Sequence, residues 1–179
     1  MAEAELAADA RRAAVLVAAC AFAGGVLALN RALVGVFYDD GLYATLAIAL
    51  ARGHGYVQAN LPGAPAAIHY PPVYPVVLAP LFGIFSIDTA GFLGKILNLI
   101  CSVAAAGLIA WHAIRARLLG DAAPRWLTPG LVAGSAVAMP VLQTQSVLFA
   151  EPLFALLLAA AILVSDSPGV SREIGRAHV

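Results

Sequence analysis

Apolar residues in this chain do not alternate with polar ones; they come in long blocks separated by short polar or proline-rich breaks. Ala13 to about Val36 is the first block that supplies the roughly 20 apolar residues a bilayer-crossing helix needs. Gly24 and Gly25 offer close-packing points within it, and Arg31 is near enough to its end to snorkel. Tyr38 follows where an interfacial aromatic belongs. Gly41 to Arg52 has a helix-forming composition but is too short to span and is stopped by Gly53-His54-Gly55, so it is expected to lie flat in the interface. Tyr56 to Ile68, with Pro62, Gly63 and Pro65, reads as loop.

Val73 to Ile87 is apolar throughout, yet short and interrupted by Pro75 and Pro80. The arginines decide whether it crosses. If it does not, the next block, Gly91 to about Ile114, delivers Arg115, Arg117 and Arg125 to the side where Arg11 and Arg12 sit, as the positive-inside rule requires. The third span is Leu127 to about Leu142, opened by Thr128-Pro129, with Pro140 near its outer end. The fourth runs from Glu151 or Pro152 to Val164 and is closed by Ser165 to Gly169. The expected fold is therefore all-α, a polytopic transmembrane helix bundle of four spans plus two juxtamembrane helices. Residues 1–12 are cytoplasmic, 13–172 form the membrane region, 38–89 make an outer loop, and Gln143 to Glu151 makes a second outer link.

Composition agrees. Hydrophobic residues make up 62% and charged residues 11%, where a soluble domain carries about a quarter charged residues; mean hydropathy is +0.90. The formal net charge of +0 leaves no basic field to recruit nucleic acid. Cys20 and Cys101 lie inside apolar runs and read as small hydrophobes rather than a disulfide or a metal site. Trp111 and His112 read as interface anchors. Glu173 to Val179 resembles the translation of a sequencing-adapter oligonucleotide, so this tail is expected to be non-native and the natural protein to continue further.

The ionisable residues collect in few places. Asp39-Asp40 follows the first span directly; a helix cap would explain one Asp, and two adjacent carboxylates at a lipid–water boundary are tolerated more readily where a metal, a cationic substrate or a proton-transfer role compensates, so capping and function both stand as readings. Glu151 heads the fourth span on the same side, where it reads either as a first-turn acid or as a functional boundary acid. Lys95 lies about one turn inside the second span, where it snorkels or meets a phosphate headgroup. Arg52 and His54 flank the end of the interfacial helix. His69-Tyr70-Pro71-Pro72-Val73-Tyr74-Pro75 is stiff and extended because its prolines fix φ.

In order, these segments resemble the N-terminal part of the GT-C glycosyltransferases, the branch of protein O-mannosyltransferases, aminoarabinose transferases and Rgt-like sugar transferases. The resemblance rests on Asp39-Asp40-Gly-Leu-Tyr43, Gly53-His-Gly55, Tyr70-Pro71-Pro72-Val-Tyr74-Pro75, Phe82-Gly83, Gly-Lys95-Ile-Leu-Asn98 and Ala-Glu151-Pro152-Leu-Phe154. It implies transfer of a sugar from a polyprenyl-phosphate carrier to a lipid, glycan or protein acceptor at the outer face of the cell membrane. Asp39 matches the acid that serves as base or orients the acceptor hydroxyl, and Asp40 the second acidic position. Glu151 matches a carboxylate facing the same cavity, and Lys95 holds a place often taken by Arg. Tyr70, His69 and Arg52 complete the substrate-binding set it implies. A divalent cation, if one is used, would fall to Asp39 and Glu151. In relatives a His-Pro-Pro run is common, whereas here Tyr70 separates His69 from Pro71. The fragment alone is expected to be inactive. Two other readings of the same residues are a multi-pass transporter or lipid flippase, and an assembly subunit in which both acids only cap helices.

Overall fold

The computed structural model describes residues 3–32, 34–35, 37–120 and 122–166, and the adapter-like tail lies outside them. Within these residues the chain is all-helical: α1 Glu3–Ala28, α2 Tyr38–Ala51, α3 Val73–Ile84, α4 Ile87–Arg115, α5 Leu127–Ala136, α6 Met139–Ser146 and α7 Glu151–Ser165. The one departure is an isolated antiparallel bridge between Val57 and Ala66, which pinches the 52–72 loop.

The first helix starts and stops about eight to ten residues before its expected limits. Its alanine-rich start is intrinsically helical, with Glu3 and Glu5 in the first turn complementing the helix dipole. It ends because Asn30 turns its Oδ1 back to accept the Ala32 N–H at 3.0 Å, offering the backbone an alternative to the next helical bond. Helix α4 is capped by Ser86, whose Oγ accepts the Thr89 N–H. Its 29 residues rise about 43 Å, so crossing a hydrocarbon core of about 30 Å leaves about nine of them outside.

Two helices, α1 and α4, are long and apolar enough to cross a membrane, and α5 with α6 make a third if that bent pair counts as one span. The expected uninterrupted third span is broken by 47° between Ala136 and Met139. Pro140, in the first turn of α6, has no N–H to donate to the Ala136 carbonyl, and its ring crowds that group. The expected count of four spans is not reached on length: α7 has only 15 helical residues. Helix α3, at 12 residues, rises about 18 Å and is too short to cross.

Helices α1 and α4 are antiparallel. Lys95 reaches Asn30 at one end, and towards the other Gly107 packs beside Ala14 and Ala18, where a Cβ would stand at an ordinary contact distance of 3.5 Å. Helices α4 and α7 run parallel, since Asn98 meets the carbonyl of Phe149 while His112 faces Asp166 at 3.4 Å. The two ends of the bundle therefore differ in charge. Arg125 pairs with Asp9 at 3.8 Å and Arg115 covers the Trp111 ring at 4.9 Å, so five of the seven described arginines, all but Arg31 and Arg52, lie at the end where α1 begins. At the opposite end lie α2, α3, the α6–α7 link and the acids Asp39, Asp40 and Glu151.

Two apolar clusters hold these ends. Val17, Ala21, Ala106 and Ala110 form a small-residue seam between α1 and α4. Tyr43, Ala44, Ala47, Tyr74, Leu78 and Leu148 bind α2, α3 and the α6–α7 link into one layer.

Candidate active site at the acidic end

Asp39 and Asp40 are adjacent in sequence and opposite in circumstance. Both lie in the first turn of α2, and the cap position falls to Phe37, which makes no side-chain cap bond. Asp40 is 1% exposed. Its Oδ2 accepts the Gly35 N–H at 2.9 Å and its Oδ1 the Gly41 N–H at 2.8 Å. The clasp works because Gly35 adopts φ +97° and because a Cβ on Gly41 would come within 3.1 Å of the Gly35 Cα. Asp39 is exposed, and a single phenol, that of Tyr70, donates to its Oδ1 at 3.3 Å.

Three tyrosines stand behind Asp39. Tyr43, one helical turn along α2 on the same face, packs edge-to-face on Tyr70 at 5.7 Å and on Tyr74 at 5.2 Å between ring centres. Burial pushes the Tyr43 phenol up to about 12, with the charges of Glu151 and then Asp39 adding to the shift. Burial, then the charge of Asp39 and the hydrogen bond to it, also raises Tyr70. Both phenols keep their protons at neutral pH, and Tyr70 faces Asp39 as a donor. Asp39 and Glu151 each lie within electrostatic reach of Tyr43. Phe37 and Phe149, each two residues before its acid, meet edge-to-face at 6.3 Å.

Glu151 owes its place to Asn98. This fully buried amide donates to the Val147 carbonyl at 2.7 Å and the Phe149 carbonyl at 3.1 Å, while its Oδ1 accepts the Tyr74 hydroxyl at 2.9 Å. One side chain of α4 therefore ties α3 to the link that carries Glu151. Burial raises the Tyr74 phenol far above its usual range, so it serves only as a donor to Asn98.

Lys95, 2% exposed, turns its ammonium inward, donating to Asn30 Oδ1 at 3.0 Å and to the Ala32 carbonyl at 2.8 Å. Asp40 lies within electrostatic reach of it. It is a strut under the site. His69 is exposed on the loop before α3, and Arg52 is exposed at the C-cap of α2, the far end of that helix from Asp39. No hydrogen bond or ion pair among the described residues ties either to the acids.

Of the residues expected from sequence, the structure brings together Asp39, Tyr70 and Glu151, and sets Asp40 and Lys95 beneath them. Tyr43, Tyr74 and Asn98 complete the arrangement without having been singled out. Asn98 had a visible signal: it lies three residues from Lys95 in an otherwise apolar helix, and buried polar groups in such helices are costly unless used. Among the described residues no three His, Cys, Asp or Glu side chains converge as a metal set.

Beside Glu151 an apolar cavity of about 380 Å³ opens between α4, α5, α6 and α7, lined among others by Ala105, Ile109, Val132 and Ala155. No family model, no curated protein and no solved structure matches this chain.

Proposed function

We propose that this chain belongs to a membrane glycosyltransferase that moves a sugar from a polyprenyl-phosphate donor to an acceptor hydroxyl at the outer face of the membrane, with inversion. The observation that carries the reading is that the Phe37–Phe149 contact joins the segments bearing Asp39 and Glu151 beside Tyr43, at the end opposite the Arg125–Asp9 pair. With the arginine end inside, the acids lie outside. Counting α7 as a short fourth span completes the bundle expected from the sequence.

In this reading Asp39 withdraws the proton from the acceptor hydroxyl as its oxygen attacks the anomeric carbon. The bond from that carbon to the phosphate oxygen breaks, and the electron pair leaves with the polyprenyl phosphate. Tyr70 keeps Asp39 oriented. Glu151 either holds a cation against the leaving phosphate or binds sugar hydroxyls, and the cavity beside it takes the apolar chain of the donor. The test is transfer of labelled sugar by membranes containing the full-length protein. Asp39→Asn is expected to insert normally and to abolish transfer; retained transfer would overturn the assignment of the base.

A transporter or flippase is the second reading. The break between α5 and α6 and the buried Gln145, whose Nε2 has no partner, favour it, because transport sites are built at interrupted helices. Lipid movement across vesicles without any new glycosidic bond would select that reading.

A further inference from the structure

At the arginine end, a groove of about 760 Å³ runs between the first half of α1, the end of α4 and loop residues 117–120 and 123–126. Its polar lining is Arg117, Arg125, Trp126, Thr128 and the carboxylate of Asp9, and its apolar lining includes Leu6, Leu16 and Leu119. Arg125 is 84% exposed and its contact with Asp9 is long, at 3.8 Å, a kind of surface pair that contributes little and yields readily to a stronger anion. Arg117 adopts φ +49°, a left-handed conformation usually left to glycine. Trp126 is exposed in the same wall, and an exposed indole beside arginines at the end of two membrane-length helices belongs at headgroup level. Five of the eight described Lys and Arg residues, Arg11, Arg12, Arg115, Arg117 and Arg125, lie at this end, facing Glu3, Glu5 and Asp9.

We propose that this groove is a binding site for an acidic phospholipid, its phosphodiester held by the Arg125 guanidinium and its upper chain laid along Leu6, Leu16 and Leu119. Guanidinium forks match phosphate oxygens in pairs, and basic grooves between helices on the arginine-rich side suit anionic headgroups. This site is separate from the acids and does not depend on the transferase reading.

The whole chain is reconstituted in phosphatidylcholine vesicles carrying a minor fraction of either dibromo-phosphatidylglycerol or dibromo-phosphatidylcholine, with Trp111→Phe leaving Trp126 as its reporter. Bromine quenching of Trp126 is expected to be stronger with the acidic lipid at equal mole fraction. Arg125→Gln is expected to cut that preference about fivefold, the ratio equivalent to about 1 kcal/mol per basic residue near an anionic surface. Arg125→Lys, which keeps the charge, is expected to retain most of it and controls for folding. Equal quenching by both lipids, or an undiminished preference in Arg125→Gln, overturns the site. Inorganic phosphate in excess is expected to leave the preference intact; its abolition by phosphate but not by chloride at equal ionic strength would assign the groove to a free anion and overturn the lipid.

Discussion

Replacing Asn98 by Ala tests the joint on which the candidate site depends. The substitution removes three hydrogen bonds at once, two to link carbonyls and one from Tyr74. At about 0.6 kcal/mol each, the mean for side-chain hydrogen bonds between membrane helices, their loss sets a floor of about 2 kcal/mol. The Tyr74 hydroxyl is then stranded, because that side chain is 1% exposed, which adds about 1–3 kcal/mol. The expected destabilisation is therefore about 3–5 kcal/mol. Tyr74→Phe alone removes one bond and is expected to cost about 1–2 kcal/mol. In the Asn98→Ala background, however, the same change removes the stranded hydroxyl and is expected to restore stability, a sign reversal visible in a double-mutant cycle. Reversible unfolding of the full-length protein in mixed micelles measures all four species. An Asn98→Ala protein within about 0.5 kcal/mol of wild type, inside the range of ordinary surface substitutions, or strict additivity in the cycle, would refute the joint.

The two adjacent aspartates are expected to separate cleanly in the same assays. Asp39→Asn, at an exposed position, is expected to change stability by less than about 0.5 kcal/mol while lowering transfer by about 10²–10⁴-fold; Asp40→Asn is expected to unfold more readily by about 1–3 kcal/mol because one of its two buried amide bonds is lost. Lys95→Met is expected to cost about 1.5–3 kcal/mol in micelle unfolding through the loss of its bonds to Asn30 and Ala32. Gly94→Val is expected to cost about 1–3 kcal/mol by overpacking, since a Cβ there would already stand 2.5 Å from Leu148 Cδ2 and 3.2 Å from Leu78 Cδ2. The Tyr43 phenol, raised from 10.0 to about 12, favours the folded state only while protonated in it. Its contribution is present below pH 10 and is lost as pH rises toward 12. Ultraviolet titration of wild type against Tyr43→Phe checks this, and a Tyr43 component ionising near 10 contradicts it.

Helix content and the grouping of arginines at one end could be read from the sequence, because apolar block length and loop charge are properties of single segments. Helix limits were harder. The alanine-rich residues 3–12 look like a polar leader by composition but continue α1, and Asn30 ends that helix through a turn that composition does not reveal. Pro140 was visible, but whether a proline kinks a span or ends one depends on how its neighbours re-satisfy the freed carbonyl. At the site, Asp39 and Glu151 stood out as charges in an apolar chain. The difference between Asp39 and Asp40 did not, because it comes from Gly35, five residues away, folding back onto one carboxylate. Tyr43 was hidden by its own chemistry, since a tyrosine in an apolar helix reads as packing until both acids are placed around it.

The Asn98 joint also orders events during synthesis. Its carbonyl partners lie 49 and 51 residues downstream, so at about 5–20 residues per second the amide waits roughly 3–10 seconds after its own addition before Val147 and Phe149 exist. Through that interval a primary amide stands in an apolar helix with at most Tyr74 to pair with. The site's second carboxylate, Glu151, arrives together with the segment that ends the wait.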